Sequence, residues 1–217
     1  MNNQDIIQAT ISFVKKELKG AEGGHDWFHI ERVYKNAILI SETEKVDKLI
    51  VQLGALLHDI ADSKFHKGDE TVGPKRAKEF LASEGVSGDI QNHVIKIIEN
   101  ISFKGGNKIQ VFKSRELDVV QDADRLDAIG AIGIARAFNY GGFKNRVIYD
   151  PAIAPNLKMT PKQYKASKAP TINHFYEKLL LLKSLINTET GKQLAKERHN
   201  FMKLFLDQFN TEWNGKG

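Results

Sequence analysis

The chain has no cysteine. That absence removes disulfides, thiolate zinc sites and cysteine nucleophiles together. It also has no apolar run approaching the ~18 residues that a membrane span needs, and its mean hydropathy is −0.38. The opening residues, MNNQDIIQATISFVKKELKG, place acids and amides where a signal peptide has a basic head and an apolar stretch. A soluble cytoplasmic protein is the expectation. Charge of one sign is scarce too: 32 Lys and Arg face 27 Asp and Glu, a net +5. The cations are scattered among acids, as on solvated helix faces. This balance suits a phosphate-bearing ligand, but no nucleic-acid-binding motif accompanies it, so no dedicated nucleic-acid partner is expected. At 217 residues the length suits one domain, and 41% apolar residues suffice for a core, which excludes a wholly disordered chain.

What is present is helical spacing. In residues 3–18, Ile6, Ile7, Ile11, Val14 and Leu18 share a face, and Gly20, Gly23 and Gly24 end the segment. Asp26 is placed to cap a helix in which Ile30, Val33, Tyr34, Ala37 and Ile38 follow the i, i+3, i+4, i+7, i+8 pattern. Residues 47–61 are apolar on most sides and read as a central, buried helix. Amphipathic stretches follow around 71–84 and 88–100, then a loop from Ser102 to Ser114, then a nearly all-apolar helix over 115–139. Four of the five prolines (Pro151, Pro155, Pro161, Pro170) fall in an aperiodic excursion around 140–170, preceded by Gly141 and Gly142. Helices over about 171–187 and 188–212 close the chain. There is no internal repeat or strand hairpin, and the expected class is all-α.

The chemistry lies in polar groups inside these apolar helices, because an unpartnered buried charge is costly. His58 and Asp59 end the run LIVQLGALLHDIAD. Alone, they read equally as a satisfied core histidine and a carboxylate at a frayed helix end. His29, 29 residues upstream, faces the core side within about 40° of Val33 and Ile40. Alone, it too reads as structural. In VVQDADRLDAIGAIGIARAF, Asp122, Asp124 and Asp127 interrupt an apolar helix. Clustered acids there repel unless a cation or an arginine sits among them, although helix-end acids also answer the helix dipole. Asp122 and Asp124 lie about 200° apart around the axis, so one ion cannot take both. Together, two histidines and two carboxylates make a mixed N/O set suited to Mn²⁺, Mg²⁺, Fe²⁺, Co²⁺, Ni²⁺ or Zn²⁺.

The patterns H-x-x-R-V (His29 to Val33), L-L-H-D-I (Leu56 to Ile60) and A-D-R-L (Ala123 to Leu126) resemble the HD superfamily of metal-dependent phosphohydrolases. The blocks HDWFHIERV, ALLHDIADSKF, ISFKG and NHFYEKLLLLKSLINTETGKQLAKERHNFM extend the likeness to a bacterial group of HD nucleotide phosphohydrolases or pyrophosphohydrolases along nearly the whole chain. The resemblance implies a compact multi-helix bundle forming a single domain over 1–217, with a core of about 20–140 and the last helices packed on it. It also implies His29, His58, Asp59 and Asp124 as ligands of one divalent ion, Mn²⁺ favoured, with Asp122 and Arg32 behind them. Of the extra histidines that hold a second metal in some relatives, only His66 and His93 occur in the interval, and a further ligand's place reads Asn100-Ile101-Ser102.

For catalysis the metal and Asp59 are expected to work with Asp62, one turn after the doublet, which would orient or deprotonate the water. Lys64, Lys104 and Arg125 are candidate phosphate contacts. Each has an ordinary alternative, as surface lysine, loop residue or ion-pair partner. His174, Lys178, Arg198 and His199 are left without a firm role. The expected partner is a small-molecule nucleotide, with a homodimer left open. The competing reading is a sensor that binds metal and nucleotide without turnover; a helical nucleic-acid-binding protein comes after it.

Overall fold

The computed structural model describes residues 2–20, 26–61, 69–101, 111–160, 163 and 166–216. Among them are nine α-helices, one 3₁₀ helix and no strand. The expected all-α class holds. The chain divides into two compact units, Met1–Asp124 and Arg125–Gly217.

The first unit opens with α1 (Asn3–Glu17), capped by reciprocal hydrogen bonds between Asn2 and Asp5. Next come α2 (Trp27–Ser41), α3 (Lys48–Leu57), α4 (Val72–Ser83), α5 (Gly88–Asn100) and α6 (Arg115–Asp127), the last running past the unit's end at Asp124. Asp26 caps α2 as the sequence predicts, its carboxylate accepting from the His29 N–H at 2.9 Å. Helix α3 is the unit's centre. It packs on α1, α2 and α5, and Val51, Leu53, Ala55, Leu56 and Leu57 have no exposed surface. Each of the valine and leucine side chains contributes roughly 1.5–3 kcal/mol by leaving water.

Gly54 lets α3 approach its neighbours closely. A Cβ there would stand 3.3 Å from Ile97 on α5 and from Val120 on α6. Gly54→Leu therefore overpacks the contact, and the expected loss is about 1–3 kcal/mol, read as a lower midpoint in urea denaturation.

Polar side chains fix helix register around this centre. The Tyr34 hydroxyl on α2 donates to Gln52 of α3 at 3.1 Å, and burial pushes its phenol pKa up. Gln121 of α6 donates to the Asn100 carbonyl at the end of α5, at 3.0 Å. Asn36 of α2 donates to the Ala123 carbonyl of α6 at 3.3 Å.

Three helix boundaries differ from the sequence reading. The buried helix expected over 47–61 ends at Leu57, so His58 and Asp59 sit in the turn that follows it. The single helix expected over 115–139 is two, α6 and α7 (Gly130–Phe143). They separate at Gly130, whose φ of +76° lies in the left-handed region and whose α-carbon faces Arg198 at a distance that leaves a Cβ only 3.0 Å. Because α7 runs to Phe143, the aperiodic excursion begins only after it.

The helix expected over 171–187 is likewise divided, into α8 (Thr171–Glu177) and a 3₁₀ helix (Leu179–Leu185). Lys178, at φ −142° and ψ −57°, breaks the α-helical run. Leu179 and Leu182 are then both buried, the i, i+3 spacing that a three-residue turn places on one side. Helix α9 (Glu189–Trp213), capped by Thr188, ends the second unit and packs on α7. Phe138 of α7, Phe175 of α8 and Phe205 of α9 form its aromatic core, with ring centroids 5.7–6.0 Å apart.

Candidate metal centre

The candidate ligands come from three helices of the first unit. His29 lies in the first turn of α2, fixed by the Asp26 cap on its own backbone N–H. His58 and Asp59 follow α3 directly, where the chain leaves the core. Asp124 lies on α6, beside the Ala123 carbonyl that Asn36 holds. Donor atoms of His29, His58 and Asp59 all lie within 4.8 Å of one another. Asp124 Oδ1 is 3.6 Å from His29 Nε2 and 3.9 Å from His58 Nε2. The two imidazoles meet edge to face, with ring centroids 5.3 Å apart.

The distances from Asp124 to the two imidazoles fit one small cation. Donors about 2.1 Å from a common ion stand roughly 3–4.2 Å from one another. The tautomer fits as well. His58 Nδ1 is 2.9 Å from the Ala55 carbonyl, which only accepts, so Nδ1 donates there and Nε2 is the nitrogen left facing Asp124. Exposure completes the picture: the side chains of His29 and His58 are 2% and 5% exposed, whereas that of Asp124 is 38% exposed. The nitrogen donors are shielded, and the carboxylate side is open to a ligand from solvent.

The remaining sequence candidates separate into groups. Asp122 is fully buried, while Asp124, two residues on, is the acid beside the imidazoles. Arg32 lies half-buried on α2, three residues after His29. Asp62, Lys64, His66 and Lys104 lie outside the described residues. Arg125 donates to the Leu185 carbonyl at 2.5 Å, within the second unit. Arg198 donates to the Leu126 carbonyl at 2.6 Å, and burial lowers its pKa while Asp127 works the other way. His93 sits far down α5 and bonds Ser114, 2.9 Å from its Nε2. Sequence reasoning missed Asn36. The signal for it was an amide three to four residues from the core positions Val33 and Ile40, which an apolar face would not contain without a partner.

His174 proves to be a buried base in the second unit. Burial first, then the cations Lys178 and Arg146, push its pKa from 6.5 down to about 3. The folded state therefore resists a proton that the unfolded chain accepts below pH 6.5. Stability from this group is complete above that pH and declines between 6.5 and about 3, by up to about 1.4 kcal/mol per pH unit. In acid titrations followed by thermal unfolding, His174→Gln is expected to have a shallower loss than the unaltered protein in that window; parallel curves would refute this assignment.

Known proteins resemble this chain over the same span. Residues 27–129 match the family model described as the HD domain, a span that contains His29, His58, Asp59 and Asp124. YpgQ of Bacillus subtilis strain 168 is 38% identical over 207 residues, covering 94% of this chain and 92% of YpgQ. The crystal structure of YpgQ in complex with ADP superposes with a TM-score of 0.78 at 34% identity, covering 98% of this chain and 97% of that one. An HD-superfamily hydrolase from Bacillus thuringiensis is 44% identical with a TM-score of 0.80, covering 99% of this chain and all of the other. With histidine, the His-Asp doublet and the later aspartate brought together in one helical unit, the chain belongs to the HD superfamily of hydrolases.

Proposed function

We propose that the chain is a phosphohydrolase that uses one divalent ion, with Mn²⁺ favoured, to cleave a phosphate ester or anhydride bond of a nucleotide. The observation that carries this reading is the grouping of His29, His58 and Asp59 donors within 4.8 Å, with Asp124 against both imidazoles. The nucleotide class is supported by the ADP bound to YpgQ and by the surplus of cations over anions.

When bound, a divalent ion supplies positive charge to a phosphoryl oxygen and acidifies water. The chain's own groups do the rest. His29 and His58 would hold the ion through ring nitrogens from a shielded wall, with the Ala55 carbonyl accepting from His58 Nδ1. Asp59 and Asp124 offset the charge of the ion. Asp124, partly open to solvent, marks the side from which the phosphate arrives. Asp62 is assigned the task of orienting or deprotonating the attacking water, and Lys64, Lys104 and Arg125 remain the candidate phosphate contacts, with Arg125 shared with Leu185.

The test is to load the purified protein with Mn²⁺ and assay a panel of nucleoside mono-, di- and triphosphates for released phosphate and pyrophosphate. Turnover that chelation abolishes and Mn²⁺ restores is the expected result. Ligand-induced thermal stabilisation without any product would instead make the protein a sensor and overturn the catalytic reading.

A further inference from the structure

Three contacts link α6 to α3 and the residues that flank it, and they fall on one stripe of each. On α6 the residues are Glu116, Val120 and Asp124, spaced i, i+4, i+8. On α3 and its flanks they are Asp47, Gly54 and His58, spaced i, i+7, i+11. Both series keep to one side of a helix with 3.6 residues per turn. The Glu116 carboxylate accepts from the Asp47 N–H at 3.0 Å. The Val120 methyl lies against the α-carbon of Gly54. Asp124 Oδ1 stands 3.9 Å from His58 Nε2. The two helices thus run in the same direction, joined by Glu116 where they begin and meeting at the candidate metal centre where the ligands sit.

Glu116 is itself held. His93 of α5 brings Nε2 to 3.5 Å from Glu116 Oε2 and to 2.9 Å from Ser114 Oγ. Ser114 Oγ accepts from the Leu117 N–H at 3.0 Å and so caps α6. The Glu116 side chain is only 14% exposed, and it reaches the backbone of Asp47, the N-cap of α3. One carboxylate thereby fixes the start of α6 both to the start of α3 and to α5.

We propose that Glu116 is a positioning residue for the metal centre, setting the axial register of α6 against α3 and with it the separation of Asp124 from His58. His93 keeps the Glu116 carboxylate turned toward Asp47. This rests on the metal-centre reading above and adds a control point about 12 Å along α6 from Asp124, as eight residues of helix require. A slip of α6 by a fraction of a residue is enough to disturb ligand geometry while leaving the helices formed.

The probe is Mn²⁺ alone, with its affinity measured by electron paramagnetic resonance of the free ion at a temperature where circular dichroism shows every variant folded. Glu116→Ala is expected to weaken Mn²⁺ binding by about tenfold, the low end of the range for groups bonded directly to metal ligands, because Glu116 acts through the helix. Glu116→Gln, which keeps an oxygen for the Asp47 N–H, should restore affinity to within about threefold of the unaltered chain. Should Glu116→Ala prove too unstable, Glu116→Asp withdraws the carboxylate by one methylene and is expected to show the same direction of change. As a comparison for stability alone, Ile6→Val on α1 should lower the melting temperature without moving the affinity. Wild-type affinity in folded Glu116→Ala or Glu116→Asp, or failure of Gln to rescue, overturns the positioning role. Absence of Mn²⁺ binding by the unaltered protein would instead overturn the metal centre itself, and the two failures are read separately.

Discussion

His58→Ala is expected to abolish divalent-ion binding and to lower nucleotide hydrolysis by roughly 10³-fold, equivalent to about 4 kcal/mol of transition-state stabilisation. The magnitude follows from the place of the imidazole. Its Nε2 faces both Asp124 and the His29 ring, and its tautomer is fixed by the Ala55 carbonyl. Alanine leaves the remaining donors without a shared centre, and water cannot replace a shielded nitrogen at the same point. Binding alone provides a second readout. An ion present at about 100 times its dissociation constant stabilises the native state by about 2.7 kcal/mol. For a chain of this length that raises the melting temperature by roughly 5–10 °C. The unaltered protein should show this shift with Mn²⁺ and lose it with chelator, and His58→Ala should show none. Asp124→Asn separates charge from geometry, because it keeps an oxygen donor and removes the negative charge; an intermediate shift is expected. Full activity in His58→Ala would mean that the chemistry lies elsewhere.

The sequence makes the candidate ligand set legible because buried polar residues are rare enough to stand out. Two histidines and a doublet acid interrupt helices that otherwise bury Val, Leu, Ile and Ala, and these groups converge in the structure. The A-D-R-L resemblance favours Asp124 over Asp122, and in the structure Asp124 stands beside both imidazoles. Periodicity separates them by about 200° but does not say which side faces the histidines. The helix breaks were illegible for a different reason. Apolar spacing continues across Ala128 to Gly133 and across Leu179 to Leu185, so a pattern alone extends the helices. Helix α6 stops at Asp127 and a left-handed glycine, Gly130, starts α7 on a new course, while Leu179 and Leu182, three apart, are both buried in the 3₁₀ helix. His93 shows the opposite failure. As a histidine between the doublet and the last aspartate it invites a metal role, yet its partners are Ser114 and Glu116. A residue type within a motif interval says nothing of direction, and only the helix that bears it decides what it meets.

Arg136→Leu should be the most damaging single change in the second unit, costing about 3–5 kcal/mol and roughly 6–20 °C in melting temperature. Asp127 closes α6 and its side chain is 2% exposed. Arg136, one helix later, places Nη1 2.5 Å from its carboxylate and 3.2 Å from its carbonyl oxygen. One guanidinium thus neutralises a buried acid and satisfies a carbonyl at a helix end, where the dipole also favours a cation. Removing it strands negative charge in the interior, and that desolvation, rather than the lost attraction, sets the size of the effect. Arg198 stands close enough to Asp127 for that carboxylate to favour its charged form, so it offsets part of the loss and holds the cost below that of an isolated buried charge. The sign of the double variant is diagnostic. Arg136→Leu combined with Asp127→Leu removes both charges and should recover much of the stability, as replacement of whole buried pairs by apolar groups does. A double-mutant cycle on thermal unfolding measures the coupling directly. Additive losses would show that the two side chains act independently, and that the end of α6 owes nothing to the ion pair.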